Sequence, residues 1–202
     1  MFWGSNAGMI YSQTGSSTTD LHLHRETLLK LAADAIDYGL NYKQPLPVAI
    51  GDYPQALQTP AASFVTLHMQ RNLRGCIGAL EAFRPLALDV AANAYAAAFR
   101  DPRFPPLSRL EFKQLDIHIS VLSHPEEMPI TGEADLLAQL RPGIDGLIIE
   151  EDSYRSTFLP AVWESLPQPE DFLRQLKLKA GLPAGYWSKT IRVRRYTVQT
   201  VE

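Results

Sequence analysis

The feature that most constrains the fold of this 202-residue chain is a pair of short apolar runs joined by a tight turn, between Ala62 and Leu80. The first run, Phe64 to Met69, mixes aromatic, β-branched and aliphatic residues. The second run, Leu73 to Ile77, carries the only cysteine of the chain between two glycines. Runs of this composition and length are typical of β-strands. The sequence therefore predicts a β-hairpin with its turn at Gln70-Arg71 and with Cys76 in its second strand.

The register of this hairpin decides which side chains share a face with Cys76. A two-residue loop pairs Val65 with Cys76 and points His68 to the other face. On that register the better candidate for a base is His118, which lies on the polar face of a later predicted strand. A three-residue loop would instead place Thr66 opposite Cys76.

Helix and strand patterns alternate along the rest of the chain without a strict repeat. Predicted helices run from Thr19 or Asp20 to about Gly39, Pro85 to Arg100, Thr131 to Leu140 and Pro169 to Ala180, and predicted strands from Leu115 to Val121, Gly146 to Glu150, Tyr154 to Leu159 and Thr190 to Val201. This pattern favours an α+β fold with mixed strand directions over a doubly wound parallel sheet. We interpret Arg192, Arg194 and Arg195 in the last strand as charges that protect an exposed sheet edge, not as a nucleic-acid site.

Composition and charge exclude several classes of protein. A hydrophobic content of 46% with 20% charged residues is that of an ordinary globular protein, and a net charge of −3 gives no reason to expect a nucleic acid or an anionic membrane as partner. One cysteine cannot form an internal disulfide, which fits a reducing cytoplasm. No run has the length of a membrane span or the pattern of a signal peptide. We expect residues 1–18 to form a flexible extension and residues 19–202 to form one domain.

The most specific motif of the chain is the hexapeptide Leu73-Arg74-Gly75-Cys76-Ile77-Gly78. Four further motifs follow it in order: Ala97 to Leu107 (AAFRDPRFPPL), Ile119 to Ser123 (ISVLS), Arg141 to Leu147 (RPGIDGL) and Phe158 to Trp163 (FLPAVW). In type and order these motifs resemble the AMME chromosomal region domain family. Members of that family are also the A component of the gene neighbourhoods called AmmeMemoRadiSam. The resemblance covers roughly Leu28 to the end of the sequence. The family commonly has Asn-Gly where this chain has Gln70-Arg71, and this implies a two-residue type I′ loop in the hairpin despite the unfavourable residues.

The resemblance implies two interleaved α+β subdomains with a groove between them. It also implies two partners, a Memo-type protein similar to non-haem-iron dioxygenases and a radical S-adenosylmethionine enzyme. The chain has neither the three-cysteine cluster motif nor the two-His-one-carboxylate pattern of those partners, nor a zinc or calcium spacing, so we expect no cofactor and no metal. Many family members carry a second cysteine where this chain has Lys177. A mechanism that needs two cysteines therefore cannot operate within this subunit.

Cys76 has two opposed interpretations. It is either a nucleophile or redox-active thiol, activated by Arg74 and a nearby base, or a small buried hydrophobic residue, as free cysteines often are. Gly75 and Gly78 favour close approach by a ligand. A third outcome lies between these two: a thiol that a ligand can reach but that runs no covalent chemistry. No base is visibly placed beside Cys76 in the sequence, which favours this third outcome.

A second group of candidates lies where the helix of Pro85 to Arg100 ends. Arg100 and Arg103 are separated by Asp101 and a rigid proline, so they can form a charge-paired corner or a clamp for a carboxylate or phosphate. Arg100 also suits the negative end of the helix dipole. We predict that Arg74 and Arg103 bind an anion, with Asp101 orienting one of them, and that both share one concave surface with Cys76.

These candidates leave two classes of function open. The first is a cytoplasmic protein that binds a small anionic or nucleotide-like ligand in a cleft around the hexapeptide, with Cys76 as a possible nucleophile. The second is a non-catalytic adaptor that docks a Memo-type or radical S-adenosylmethionine partner. A deep polar cleft at Cys76 would favour the first class and a flat apolar patch the second. Trp163 and Phe158 lie in apolar segments and are predicted to belong to the core.

Overall fold

A computed structural model describes residues 21–202 of the chain. The helices are α1 (Arg25–Tyr42), α2 (Gln55–Gln58), α3 (Leu86–Phe99), α4 (Arg109–Phe112), α5 (Glu133–Gln139) and α6 (Pro169–Ala180), with short 3-10 turns at Leu21–His24, Ile50–Asp52 and Pro160–Glu164. The strands are β1 (Ala62–Met69), β2 (Asn72–Gly78), β3 (Leu115–Leu122), β4 (Glu126–Glu127), β5 (Gly146–Glu151), β6 (Tyr154–Phe158), β7 (Arg192–Tyr196) and β8 (Val198–Val201). The predicted extension of residues 1–18, and the predicted helix caps Thr19 and Asp20, lie outside these described residues.

The strands form two antiparallel sheets of four strands each. The first sheet has the order β2-β1-β3-β8, and the second has the order β4-β7-β5-β6. A small apolar cluster of Ala62, Leu122, Ile148 and Tyr196 joins the two sheets. The predicted α+β class with hairpins is confirmed. The predicted mixed strand directions are not found in residues 21–202, because every strand pair of the two sheets is antiparallel.

Helices α1 and α3 cover one face of the first sheet. Apolar residues recur at helical spacing in α1, and Leu28, Ala32 and Ile36 are fully buried. The alanine-rich composition of α3 lets its backbone approach the strands closely, because small side chains leave little volume between the two layers. The candidate site lies on the opposite face of the first sheet, which α1 and α3 do not cover.

Helix α6 packs on the second sheet through Phe172, Leu173 and Leu176. The indole of Trp163 stacks on Phe172 with 3.8 Å between ring centroids, and its N–H donates to the carbonyl of Asp145 at 2.7 Å. Trp163 is 4% exposed, so its prediction as a core residue is confirmed. No helix within residues 21–202 is both long enough and apolar enough to cross a membrane.

The last predicted strand is two strands in different sheets. β7 pairs with β5 and β4 in the second sheet, and after Thr197 the chain enters the first sheet as β8, beside β3. The interpretation of the three arginines as guards of a sheet edge is therefore wrong, since β7 is an interior strand. Glu150 on β5 holds Arg192 and Arg194, while Arg195 lies opposite Glu126 of β4. This crossing places the last strand of the chain in the first sheet.

Candidate functional site

The β1–β2 hairpin has the predicted two-residue loop but not the predicted register. Gln70 and Arg71 both have positive φ, as a type I′ turn requires. A β-bulge between Leu67 and His68 then shifts the pairing, so that Thr66, not Val65, lies opposite Cys76. The prediction that His68 points away from Cys76 is therefore wrong. The bulge inserts one extra residue, Arg74, and every side chain beyond it changes face.

A groove of about 630 Å³ lies between the open face of the first sheet and the two segments that flank β5 and β6. Its sheet side is formed by Phe64, Thr66, Cys76, Ser120, Val198 and Thr200. Its other side is formed by Pro142, Gly143, Leu159, Pro160, Ala161, Trp163, Glu164 and Pro167. The groove therefore places the central cysteine against two of the motifs that carried the resemblance, RPGIDGL and FLPAVW.

Cys76 is half-buried and lines this groove. Its Sγ lies 3.1 Å from the hydroxyl oxygen of Thr66, the residue directly opposite on β1. The thiol is thus neither enclosed in the core nor freely exposed. Its polar partner is a hydroxyl, which can donate a hydrogen bond to sulfur or accept one from it.

His68 and His118 lie on the same face of the sheet as Cys76, but neither contacts the thiol. His118 on β3 is directly opposite Thr66, so Thr66 lies between the imidazole and Cys76. The Nδ1 atom of His118 is 2.9 Å from a carboxylate oxygen of Glu202. The ring of His68 meets the ring of His118 edge-on, with 4.7 Å between centroids. His118 is thus aligned with Cys76 across the sheet. It lies one strand further away than a base in direct contact with the thiol would.

Asp101 and Arg103 cover the outer edge of β2 at Cys76. The backbone N–H of Cys76 donates to Asp101 at 2.9 Å, and the Arg103 guanidinium donates to the Cys76 carbonyl at 3.3 Å. Arg103 also binds Asp101 through two hydrogen bonds of 2.7 and 2.9 Å, which holds the pKa of that carboxyl well below its ordinary value. The pair takes the place of a neighbouring strand at an otherwise open edge.

Arg74 lies on the opposite side of the hairpin from the groove. Its guanidinium is buried and donates to Glu111 at 2.8 Å and to the carbonyl of Pro105 at 2.9 Å. The hydrogen bond from Arg74 lowers the pKa of Glu111 to about 2. Arg100 is exposed and lies over the ring of Tyr95. The predicted convergence of the arginines with Cys76 on one concave surface is wrong, because none of them lines the groove.

The two glycines beside Cys76 have packing roles. A Cβ atom at Gly75 would overlap the carbonyl oxygen of Ala97 in α3, so this glycine lets the helix approach β2. A Cβ atom at Gly78 would overlap the ring of Phe64. Gly78 therefore lets Phe64 lie flat beside the groove.

Lys177 is 1% exposed and pairs with Glu133 at 2.8 Å. The lysine therefore ties α6 to α5 and lies outside the groove lining. Across residues 21–202, no group of three or more His, Cys, Asp or Glu side chains has an arrangement that could hold a metal ion.

Several residues of the groove escaped the sequence analysis. Thr66 was placed opposite Cys76 only for a three-residue loop, because the bulge that puts it there has no clear sequence signal. Ser120 and Thr200 come together across β3 and β8, and their hydroxyl oxygens are 3.1 Å apart. The pairing of strands so distant in the chain cannot be read locally. The motifs at Pro142-Gly143 and Phe158 to Trp163 were a usable signal, since both segments contribute to the groove.

Two antiparallel sheets, with one cysteine in the groove between them, define the class of protein to which this chain belongs. The family model of AMMECR1 matches residues 29–201. The chain therefore belongs to the AMMECR1 family.

Relatives and a solved structure agree with this assignment. A protein from Methanothermobacter thermautotrophicus is 37% identical over 179 residues, which cover 86% of this chain and 91% of that protein. A protein from Thermotoga maritima is 40% identical over 141 residues, which cover 69% of this chain and 76% of that protein. The crystal structure of the uncharacterized protein PH0010 from Pyrococcus horikoshii superposes with a TM-score of 0.75 at 32% identity, covering 87% of this chain and 89% of that chain.

Proposed function

We propose that this protein binds a small molecule in the groove at Cys76. The observation that carries the proposal is the groove itself, because a concave site lined by apolar side chains and a few convergent polar groups is the usual form of a ligand site. Here the polar groups are the thiol of Cys76 and the hydroxyls of Thr66, Ser120 and Thr200. They lie on one rigid sheet, which suits a site that must hold a fixed geometry.

The chemistry of the lining favours a neutral or cationic molecule with a flat apolar part. Phe64, Pro160 and Pro167 offer apolar surface on both sides of the groove, and hydroxyl groups offer neutral hydrogen bonds. The one charged side chain of the described lining is Glu164. The anionic ligand expected from the sequence is not supported, because the arginines that would have bound it pair with Glu111 and Asp101 instead. The flat base of a nucleotide-like molecule still fits this chemistry.

Cys76 is proposed to contact the bound molecule. Its Sγ lies on the groove wall, and its backbone is fixed on the outer side by Asp101 and Arg103. A thiol held in this way can recognise a ligand or attack an electrophilic one. The proposal of an adaptor that docks Memo-type or radical S-adenosylmethionine proteins depends on the family resemblance, and a groove at Cys76 supports it less than a flat apolar patch would.

The test is to purify the protein from its own cell and to identify by mass spectrometry the small molecules that dissociate from it on denaturation. Ala161→Trp is the matched negative variant, since Ala161 is exposed on the groove wall and an indole there would fill the space without disturbing the core. Ala138→Trp places the same side chain on the exposed surface of α5, away from the groove. A molecule present in the wild type and in Ala138→Trp but absent from Ala161→Trp supports the proposal. A molecule that is retained equally in all three proteins contradicts it.

A further inference from the structure

Four side chains of different chemistry form one row across all four strands of the first sheet. The row consists of the Cys76 thiol on β2, the Thr66 hydroxyl on β1, the His118 imidazole on β3 and the Glu202 carboxylate just after β8. All four lie on the open face, and the thiol end of the row is in the groove. A strand pattern places directly opposed residues on one face, so the row follows from the register.

The row is connected at both ends by short contacts. The Cys76 Sγ and the Thr66 Oγ1 are 3.1 Å apart, and the His118 Nδ1 and the Glu202 carboxylate are 2.9 Å apart. Between them, Thr66 and His118 are direct cross-strand partners. Directly opposed Cβ atoms are about 4.5–5.5 Å apart, a span that an imidazole and a hydroxyl bridge directly or through one water.

We propose that this row conducts the proton of Cys76 to His118, with Thr66 as the relay and Glu202 as a positioning residue. Glu202 accepts the Nδ1–H of His118, and this leaves Nε2 as the atom that takes up a proton. Thr66 receives the thiol proton on its oxygen and passes its own hydroxyl proton toward Nε2. The inference depends on the proposed groove only in that the groove gives an electrophile access to the thiol.

The chemistry balances without any further co-reactant. When an electrophilic carbon in the groove bears a leaving group, the Cys76 sulfur forms a new S–C bond and the leaving group departs with the bonding electron pair. The thiol proton has moved through Thr66 to His118, and the Glu202 carboxylate stabilises the imidazolium. Iodoacetamide is a simple electrophile of this kind, with iodide as its leaving group.

Other charged groups face the row and set the conditions for proton transfer. Asp101 and Arg103 contact the backbone of Cys76, and they form a neutral pair. Glu164 lies in the groove lining. The ring of His68 contacts His118 and has Asp116 as its cross-strand partner. A positive charge on His68 would therefore oppose the transfer of a proton to His118.

The rate of iodoacetamide alkylation of the full chain, measured from pH 5 to pH 10, tests the row. Cys76 is the only cysteine, so each alkylation event reports on this thiol. At pH 7 we expect Thr66→Val and His118→Gln to react about tenfold more slowly than the wild type, because the thiolate is the reacting species. Glu202→Gln should have a smaller effect, because Glu202 is largely exposed. At pH 10 hydroxide removes the proton without help, so all rates should converge.

Two controls separate proton transfer from folding and access. Thr66→Ser keeps the hydroxyl and should restore the wild-type rate at pH 7. His124→Gln makes the same change at an exposed loop histidine outside the row and the groove, and it should leave the rate unchanged. Equal rates for Thr66→Val and the wild type at pH 7, or a decrease that persists at pH 10, would overturn the proposal. If Thr66→Val does not fold, His118→Gln and Glu202→Gln carry the same comparison. The two tests are independent. The absence of a bound small molecule from the purified protein would not alter these alkylation rates, and equal alkylation rates would not argue against ligand binding in the groove.

Discussion

The two faces of the first sheet differ in how their polar groups are satisfied. On the helix-covered face, the buried Asp89 accepts hydrogen bonds from the backbone and hydroxyl of Ser63, from Asn93 and from Arg84. Asn93 in turn donates to the Ser63 carbonyl. On the groove face, the thiol of Cys76 has a single hydroxyl partner and lines open space. The β1–β2 hairpin thus contributes to the hydrogen-bond network of Asp89 on its helix side. On its groove side it contributes to the row of Cys76, Thr66, His118 and Glu202.

This difference shows how to divide the residues of one motif between stability and function. In Leu73-Arg74-Gly75-Cys76-Ile77-Gly78, Arg74 and Gly75 serve the packing of the helix side, and Cys76 belongs to the groove. The bulge makes the division possible, because it turns Arg74 away from the groove. Substitutions on the helix side should therefore lower the free energy of unfolding. Substitutions on the groove side should change reactivity and binding instead.

The largest expected effect is that of Asp89→Ala. Its carboxylate is 1% exposed, and its removal leaves donors of Ser63, Asn93 and Arg84 without their acceptor. We expect the free energy of unfolding in urea to fall by about 3–5 kcal/mol. Asp34→Ala is the matched control, since Asp34 forms an exposed pair with Lys30. That change should cost less than about 1 kcal/mol. Equal losses for the two variants would remove the distinction between the faces.

Arg74→Met should have the next largest effect. Methionine keeps an unbranched apolar stem but leaves the Pro105 carbonyl without a donor and Glu111 with only the backbone N–H of Ser108. We expect a loss of about 2–3 kcal/mol in the free energy of unfolding, since Glu111 retains some contact with solvent. If Arg74 instead bound a ligand, the variant would fold with nearly wild-type stability.

The same pair makes a prediction about pH. The folded-state pKa of Glu111 is about 2, below its ordinary value of 4.5, so its contribution to stability is complete above about pH 5. That contribution is lost as the pH falls toward 2, because the unfolded state then binds the proton first. Urea unfolding at a series of pH values should show a shallower acid decline for Arg74→Met than for the wild type. Parallel declines would mean that Arg74 does not hold this carboxyl in its charged form.

The smallest expected effect on stability is that of Cys76→Ser. The site is half-buried, and a serine hydroxyl can keep the hydrogen bond to Thr66. We expect the free energy of unfolding to change by less than about 1 kcal/mol, as for a substitution outside the closed core. A loss as large as that of Arg74→Met would mean that Cys76 packs as a core residue.

The sequence predicted the elements of this fold better than their contacts. The hairpin of β1 and β2 and the helix from Pro169 to Ala180 were predictable because strand composition and helix-end signals are local, and Gly181, just after that helix, adopts a positive φ of 88°. The split of the last strand at Thr197 was not, because both halves keep strand-like patterns while they pair in different sheets. Pairing partners are chosen by tertiary packing, which local patterns do not encode.

The same limit applies to the candidate site. Cys76 was found because a lone cysteine between glycines is unusual at the level of single residues. Arg74 was assigned to the wrong face because one inserted residue reverses the alternation of a strand. Glu202 was missed, and Thr66 was placed beside Cys76 only for a three-residue loop, because their neighbours in the row come from other strands. Residue type thus identified the reactive atom, and only the register identified its partners.

The most direct test of the central claim, that the thiol belongs to the groove, is the rate at which iodoacetamide labels Cys76 in the folded protein at pH 8. The wild type and Ala138→Trp should be labelled at the same rate without denaturant, because the thiol is reached through the groove. Ala161→Trp should be labelled severalfold more slowly, since the indole fills that groove. Labelling of the wild type only as fast as the chain unfolds, or an equal rate in Ala161→Trp, would contradict the account.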